Sequence, residues 1–73
     1  MDKRHFDIIW DACNKTGCVE FTFEGKRYLL TRYRGSFGVT YLLEEVREAS
    51  LKQITRHWSK SYFEHLFTLA SYY

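Results

Sequence analysis

Proline is absent from this chain of 73 residues. No residue of fixed φ therefore forces a break in a helix or marks a strand as an edge. Glycine is scarce, at four residues, so each one reads as a turn or a helix stop. Cysteine is limited to Cys13 and Cys18. Small secreted domains carry a denser disulfide framework, so the pair reads as two reduced thiols near a helix end in a cytoplasmic protein. No apolar run approaches the ~18 residues of a membrane span, and the short patch Phe6–Trp10 is interrupted by Asp7. Neither a membrane partner nor a secretory leader is expected. An excess of one charge is missing too. The net charge of +2 is too mild to assign a nucleic-acid function from totals.

Catalytic signatures are also lacking. The sequence holds no Gly-rich phosphate loop, no His-Glu-x-x-His and no Gly-x-Ser-x-Gly. Cys13 and Cys18 have C-x4-C spacing without a second cysteine pair, and His5, His57 and His65 are not spaced as paired ligands. The expectation is a protein with no metal, no cofactor and no catalytic site. Once so short a chain has filled its core, little remains to enclose a pocket of even ~300 Å³.

Aromatic residues are what the chain has in quantity. Six Phe, six Tyr and two Trp make up 19% of it. Each buries roughly 150–250 Å², which offsets the small surface-to-volume advantage of a single domain spanning 1–73.

The order of patterns predicts an α+β fold. Asp2 suits a helix N-cap, and Phe6, Ile9, Trp10 and Cys13 form one apolar stripe ending at Gly17. Val19, Phe21 and Phe23 then alternate with Glu20, Thr22 and Glu24. A turn at Glu24-Gly25-Lys26-Arg27 leads to a second strand, Tyr28 to Arg34. A turn at Gly35-Ser36 leads to a third, through Phe37, Val39, Tyr41 and Leu43, although Tyr41 to Ala49 is also good helix material. That loop pairs Arg34 with Phe37, Arg32 with Val39, Leu30 with Tyr41 and Tyr28 with Leu43. It gathers Val19, Phe21, Phe23, Tyr28, Leu30, Val39, Tyr41 and Leu43 on one face. Ser50 with Gln53 reads as a capping box opening a C-terminal helix, through Leu51, Ile54, Trp58, Tyr62, Leu66 and Leu69. Phe63 and Phe67 fall off that stripe, which leaves two readings. Ser59-Lys60-Ser61 breaks the helix into two short ones, or the helix is continuous and these rings meet a second surface. The expected fold is thus an N-terminal helix, a three-stranded antiparallel meander and a C-terminal helix or two short helices, all packed on one sheet face.

Positive charge is concentrated in two segments. Residues 25–43 hold Lys26, Arg27, Arg32 and Arg34 with no acid. Lys52, Arg56 and Lys60 recur every four residues and would line one ridge of a helix. Such runs are most often solvated faces. As a binding surface, Arg32, Tyr33, Arg34, Lys52, Arg56 and Lys60 would meet an acidic protein face first and a nucleic acid second. Only Tyr33 is expected as a base-stacking ring on the open sheet face. Phe63, Phe67, Tyr72 and Tyr73 are the surplus aromatics for self-association into a homo-oligomer. The expectation is a small non-enzymatic protein-binding module. Its size and composition resemble the small inhibitors or modulators of host macromolecules encoded by phages and mobile elements. The alternative is a nucleic-acid-binding protein.

Overall fold

The computed structural model describes residues 1–68. Helix α1 (Lys3–Thr16) leads into strands β1 (Cys18–Phe23), β2 (Lys26–Gly35), β3 (Gly38–Val46) and β4 (Leu51–His57), and helix α2 (Lys60–Thr68) follows. The strands form one antiparallel meander in the order β1-β2-β3-β4. The architecture is α+β, with four strands where the sequence predicts three.

Helix α1 follows its sequence signals. The Asp2 carboxylate accepts the His5 N–H at 2.8 Å, which satisfies one of the orphan donors of the first turn. Gly17 closes the helix at φ 94°, and its N–H reaches the Cys13 carbonyl at 2.8 Å. Phe6, Ile9, Trp10 and Cys13 are all buried.

The β1–β2 loop is Glu24-Gly25, with φ 52° and 78°. Positive φ at both central residues is the type I′ condition that matches strand twist. The β2–β3 loop is Ser36-Phe37, closed by the Gly35–Gly38 pair, so it lies one residue later than predicted. Arg34 therefore faces Val39, Arg32 faces Tyr41, Leu30 faces Leu43 and Tyr28 faces Glu45. The register is displaced by two residues. Because side chains alternate with period two, an even displacement leaves every residue on its predicted face. All eight apolar residues assigned to one face do line the core.

The largest departure is β4. The segment read as the start of a helix at Ser50 is a strand along β3. Its backbone groups pair with the edge of β3 that would otherwise be open, and Glu45 opposite Lys52 and Val46 opposite Leu51 are favourable cross-strand pairs. Ser50 does not cap a helix; its carbonyl accepts the Arg47 N–H at 2.9 Å in the connecting turn. Neither reading of the C-terminal segment is realised as stated: α2 does start within Ser59–Ser61, at Lys60, but strand β4 precedes it where a first helix is predicted.

Both helices cover the same sheet face. Trp10 lies 4.1 Å from Tyr41 and 5.8 Å from Phe63, centroid to centroid. Phe67 meets Phe21, Phe23 and Tyr28 edge-on at 5.3, 5.1 and 5.8 Å. Edge-on contacts of this kind add about 0.5–1.5 kcal/mol beyond burial. The opposite sheet face carries neither helix, and Arg27, Tyr33 and Arg56 stand on it.

Candidate binding surface at the tip of the second hairpin

The β2–β3 hairpin ends in the two-residue loop Ser36-Phe37. So tight a loop has no room to fold a large side chain back, and Phe37 is fully exposed. Tyr33 stands on the open face, opposite Thr40, and is 45% exposed. Arg56 stands on the same face of β4, opposite Leu42. Its guanidinium carbon lies 5.2 Å from the Tyr33 ring centroid, a cation–π contact reaching across β3. Trp58, just past β4, keeps 71% of its surface exposed. These four side chains and Arg34 line one open groove of about 450 Å³. None of the described residues lining it carries a carboxylate.

A ring stack braces Trp58. The His57 imidazole lies 4.2 Å and 15° from Trp58, and 4.1 Å and 13° from Tyr62. Two rings at those distances cannot share one face of an imidazole, so His57 is sandwiched between them. Its Nδ1 accepts the Ser59 N–H at 3.0 Å, and the Tyr62 hydroxyl shares a hydrogen bond with Thr55 Oγ1 at 2.9 Å. The first turn of α2 thus holds the indole through the imidazole.

The predicted basic residues do not act as one set. Tyr33 and Arg56 meet on the open face, while Arg34, opposite Val39 on the other face of β2, borders the same groove at its rim. Arg32 lies on the helix-side face, where its Nη1 donates to the Asn14 carbonyl at 2.7 Å and caps the C-terminal end of α1. Lys52 and Arg56 do not share a ridge. The register of β4 shifts at Ile54, an extra residue between Gln53 opposite Glu44 and Thr55 opposite Leu43. This bulge turns Lys52 and Arg56 to opposite faces. Lys60 is paired with Asp7 of α1 at 2.9 Å. Asp7 Oδ1 is closed to water, and at that separation the Lys60 ammonium is the partner of this oxygen. The bond to Asp7 raises the Lys60 pKa above its ordinary 10.5. Arg27, on the open face far along the sheet, is tied to Glu20, with its Nε donating to Oε1 at 2.8 Å.

Phe63 and Phe67, assigned above to self-association, are 0% and 5% exposed and belong to the core. The strand at 51–57 restarts the helical phase at Lys60, which turns both rings inward. Tyr72 and Tyr73 lie outside the described residues. Phe37 and Trp58 were missed. An aromatic residue flanked by Gly35-Ser36 and Gly38 is itself a signal of an exposed loop ring, whereas Trp58 was absorbed into a helical stripe that does not form.

The thiols have separate fates. Cys13 is fully buried, and its Sγ donates to the Leu30 carbonyl at 3.5 Å. Burial pushes its pKa up to about 11, against a smaller opposing pull from Arg32, so it is a protonated packing group rather than a nucleophile. Cys18 is exposed, and both are free thiols. A second open groove, of about 480 Å³, is lined by His57, Ser59, Ser61, Tyr62, His65 and Leu66. Its serines bond each other at 2.8 Å, and His57 Nδ1 is committed to a backbone N–H. Among the described residues no three of His, Cys, Asp or Glu converge as a metal site would require. No described helix is long and apolar enough to cross a membrane. No family model, curated protein or solved structure matches this chain.

Proposed function

We propose that this protein is a non-enzymatic binding module whose working surface is the tip of the β2–β3 hairpin, and that it engages an anionic macromolecule. The observation that carries the reading is the meeting of Tyr33, Phe37 and Trp58 with Arg34 and Arg56 around one groove that no carboxylate lines. Aromatic and arginine side chains are the groups that dominate binding energy at macromolecular surfaces. Exposed rings on a small domain have a hydration cost, which a partner removes by covering them. A module of this kind inhibits or modulates its partner by occupying a surface. Two classes of partner fit the charge: an acidic protein face and a nucleic acid.

The test is affinity capture from the native host, with the protein as bait and the double variant Phe37→Ser/Trp58→Ser beside it. Both side chains are exposed, so the variant keeps the fold, which circular dichroism checks. The partner should be recovered by the parent, lost by the double variant and retained by a Lys26→Ser control at the far end of β2. Equal recovery by parent and double variant would remove the tip as the working surface.

A further inference from the structure

Resting on the reading above, we infer that the tip groove takes single-stranded nucleic acid, with bases stacked on its rings and phosphates paired with its arginines. A polyanion alone would need only cations. Here Arg56 stands among three exposed rings and Arg34 borders the same groove, so the complementary ligand supplies planar apolar groups together with negative charges. A single strand does this along its length, and every base has a face that stacks on an aromatic ring. A duplex hides its base faces within its own stack. An acidic peptide carries the charge with few planar groups among its carboxylates.

The site is also set in advance. Trp58 has one face on His57, which is held in turn by Tyr62, and the rest of the indole is open. Arg56 is held over the Tyr33 ring. Side chains fixed before binding lose less entropy when the ligand arrives. Both helices lie behind the opposite sheet face, so a strand crossing the tip meets no obstruction from them. With one base per exposed ring, the groove suits about two or three bases, the number that sheet-borne aromatics commonly stack.

Binding is read by fluorescence anisotropy with three labelled probes: oligodeoxythymidylate of about 15 nucleotides, within the range such sites cover, a duplex of equal length, and an oligoglutamate peptide. The single strand should bind more tightly than either of the others. With Arg34 and Arg56 as the phosphate contacts, raising salt from about 50 to about 200 mM should weaken it roughly sevenfold, from ~0.7 counterions released per contact. Trp58→Ala should weaken binding about fivefold or more, the lower range for loss of one stacked base. Arg56→Gln should flatten the salt slope by about 0.7. Tyr62→Ala, which removes the ring that holds His57 from outside the groove, should weaken binding, and Tyr62→Phe, which keeps that ring and its packing on Phe63, should restore it.

No anisotropy change with the single strand at low salt would overturn the inference, as would tighter duplex binding or a Trp58→Ala variant that binds like the parent. Glutamate peptide bound in preference to the single strand, and lost in Trp58→Ala, would overturn it while leaving the binding-module reading standing. That broader reading is decided separately by the host capture with the Phe37→Ser/Trp58→Ser variant.

Discussion

Phe37 and Phe63 carry the same side chain to opposite ends of the burial scale, and backbone phase alone separates them. Phe37 sits in a two-residue loop with nowhere to pack, while Phe63 is fully enclosed by Trp10, Tyr41 and Tyr62. Composition counts both as aromatic surplus and cannot sort core from surface. Cys13 shows the same force acting on a titratable group. Burial lifts its thiol from 9.0 to about 11, so the folded protein keeps a proton that the unfolded chain has lost within that interval. The sign follows from linkage: the folded state binds more protons there, so stability falls as pH rises from 9.0 towards 11, and Cys13 contributes no slope below. Lys60, raised by its bond to Asp7, adds a loss of the same sign that begins only above 10.5. Urea melts across this range should show stability starting to fall near pH 9 in the parent. In Cys13→Ala that first part of the decline should be absent. The same early decline in Cys13→Ala would remove the thiol as its cause.

Among the elements, those with local signals were legible and those decided by pairing were not. Helix α1 carries its cap, stripe and stop within sixteen residues, and all three are found where the sequence places them. The sheet faces were legible because alternation sets them without reference to the partner strand. The register was not, since Gly35-Ser36 and Ser36-Phe37 are both plausible two-residue loops and only closure by Gly35 and Gly38 separates them. Strand β4 was illegible for a related reason: Leu51, Ile54 and Trp58 suit a helical stripe, and only the edge offered by β3 makes the extended form better. The tip site inherits this. Tyr33, Arg34 and Arg56 could be named from sequence, but the bulge that removes Lys52 and the ion pair that occupies Lys60 are tertiary events. The first hairpin holds a testable strain. Glu24 occupies φ 52°, which costs a residue with a Cβ and a long side chain roughly 1 kcal/mol. Asn adopts this region far more readily and, before Gly25, completes the preferred type I′ pair. Glu24→Asn should therefore stabilise the protein by about 0.5–1 kcal/mol in thermal unfolding, within the range of substitutions that relieve a backbone mismatch. No gain, or a loss, would place the hairpin in a different turn.

At the scale of the whole molecule, one sheet face is spent on the core and the other is open, which leaves β1 and β4 as edges. An exposed edge invites a second copy to extend the sheet. Strand β4 has the apolar side chains for it, since Leu51 and Ile54 are both exposed. Two features oppose it. The bulge at Ile54 interrupts the regular spacing of backbone groups. Lys52 and Arg56, on the two faces of β4, also place a cation on each side of the edge, and charged side chains on an edge strand discourage pairing. With Phe63 and Phe67 enclosed in the core, neither ring is free to serve self-association. The expected state is a monomer in light scattering at about 100 µM, well above the range of specific dimers. A parent that is already dimeric, and stays dimeric when Leu51 and Ile54 are made Thr, would mean the contact lies elsewhere and that charge does not guard this edge.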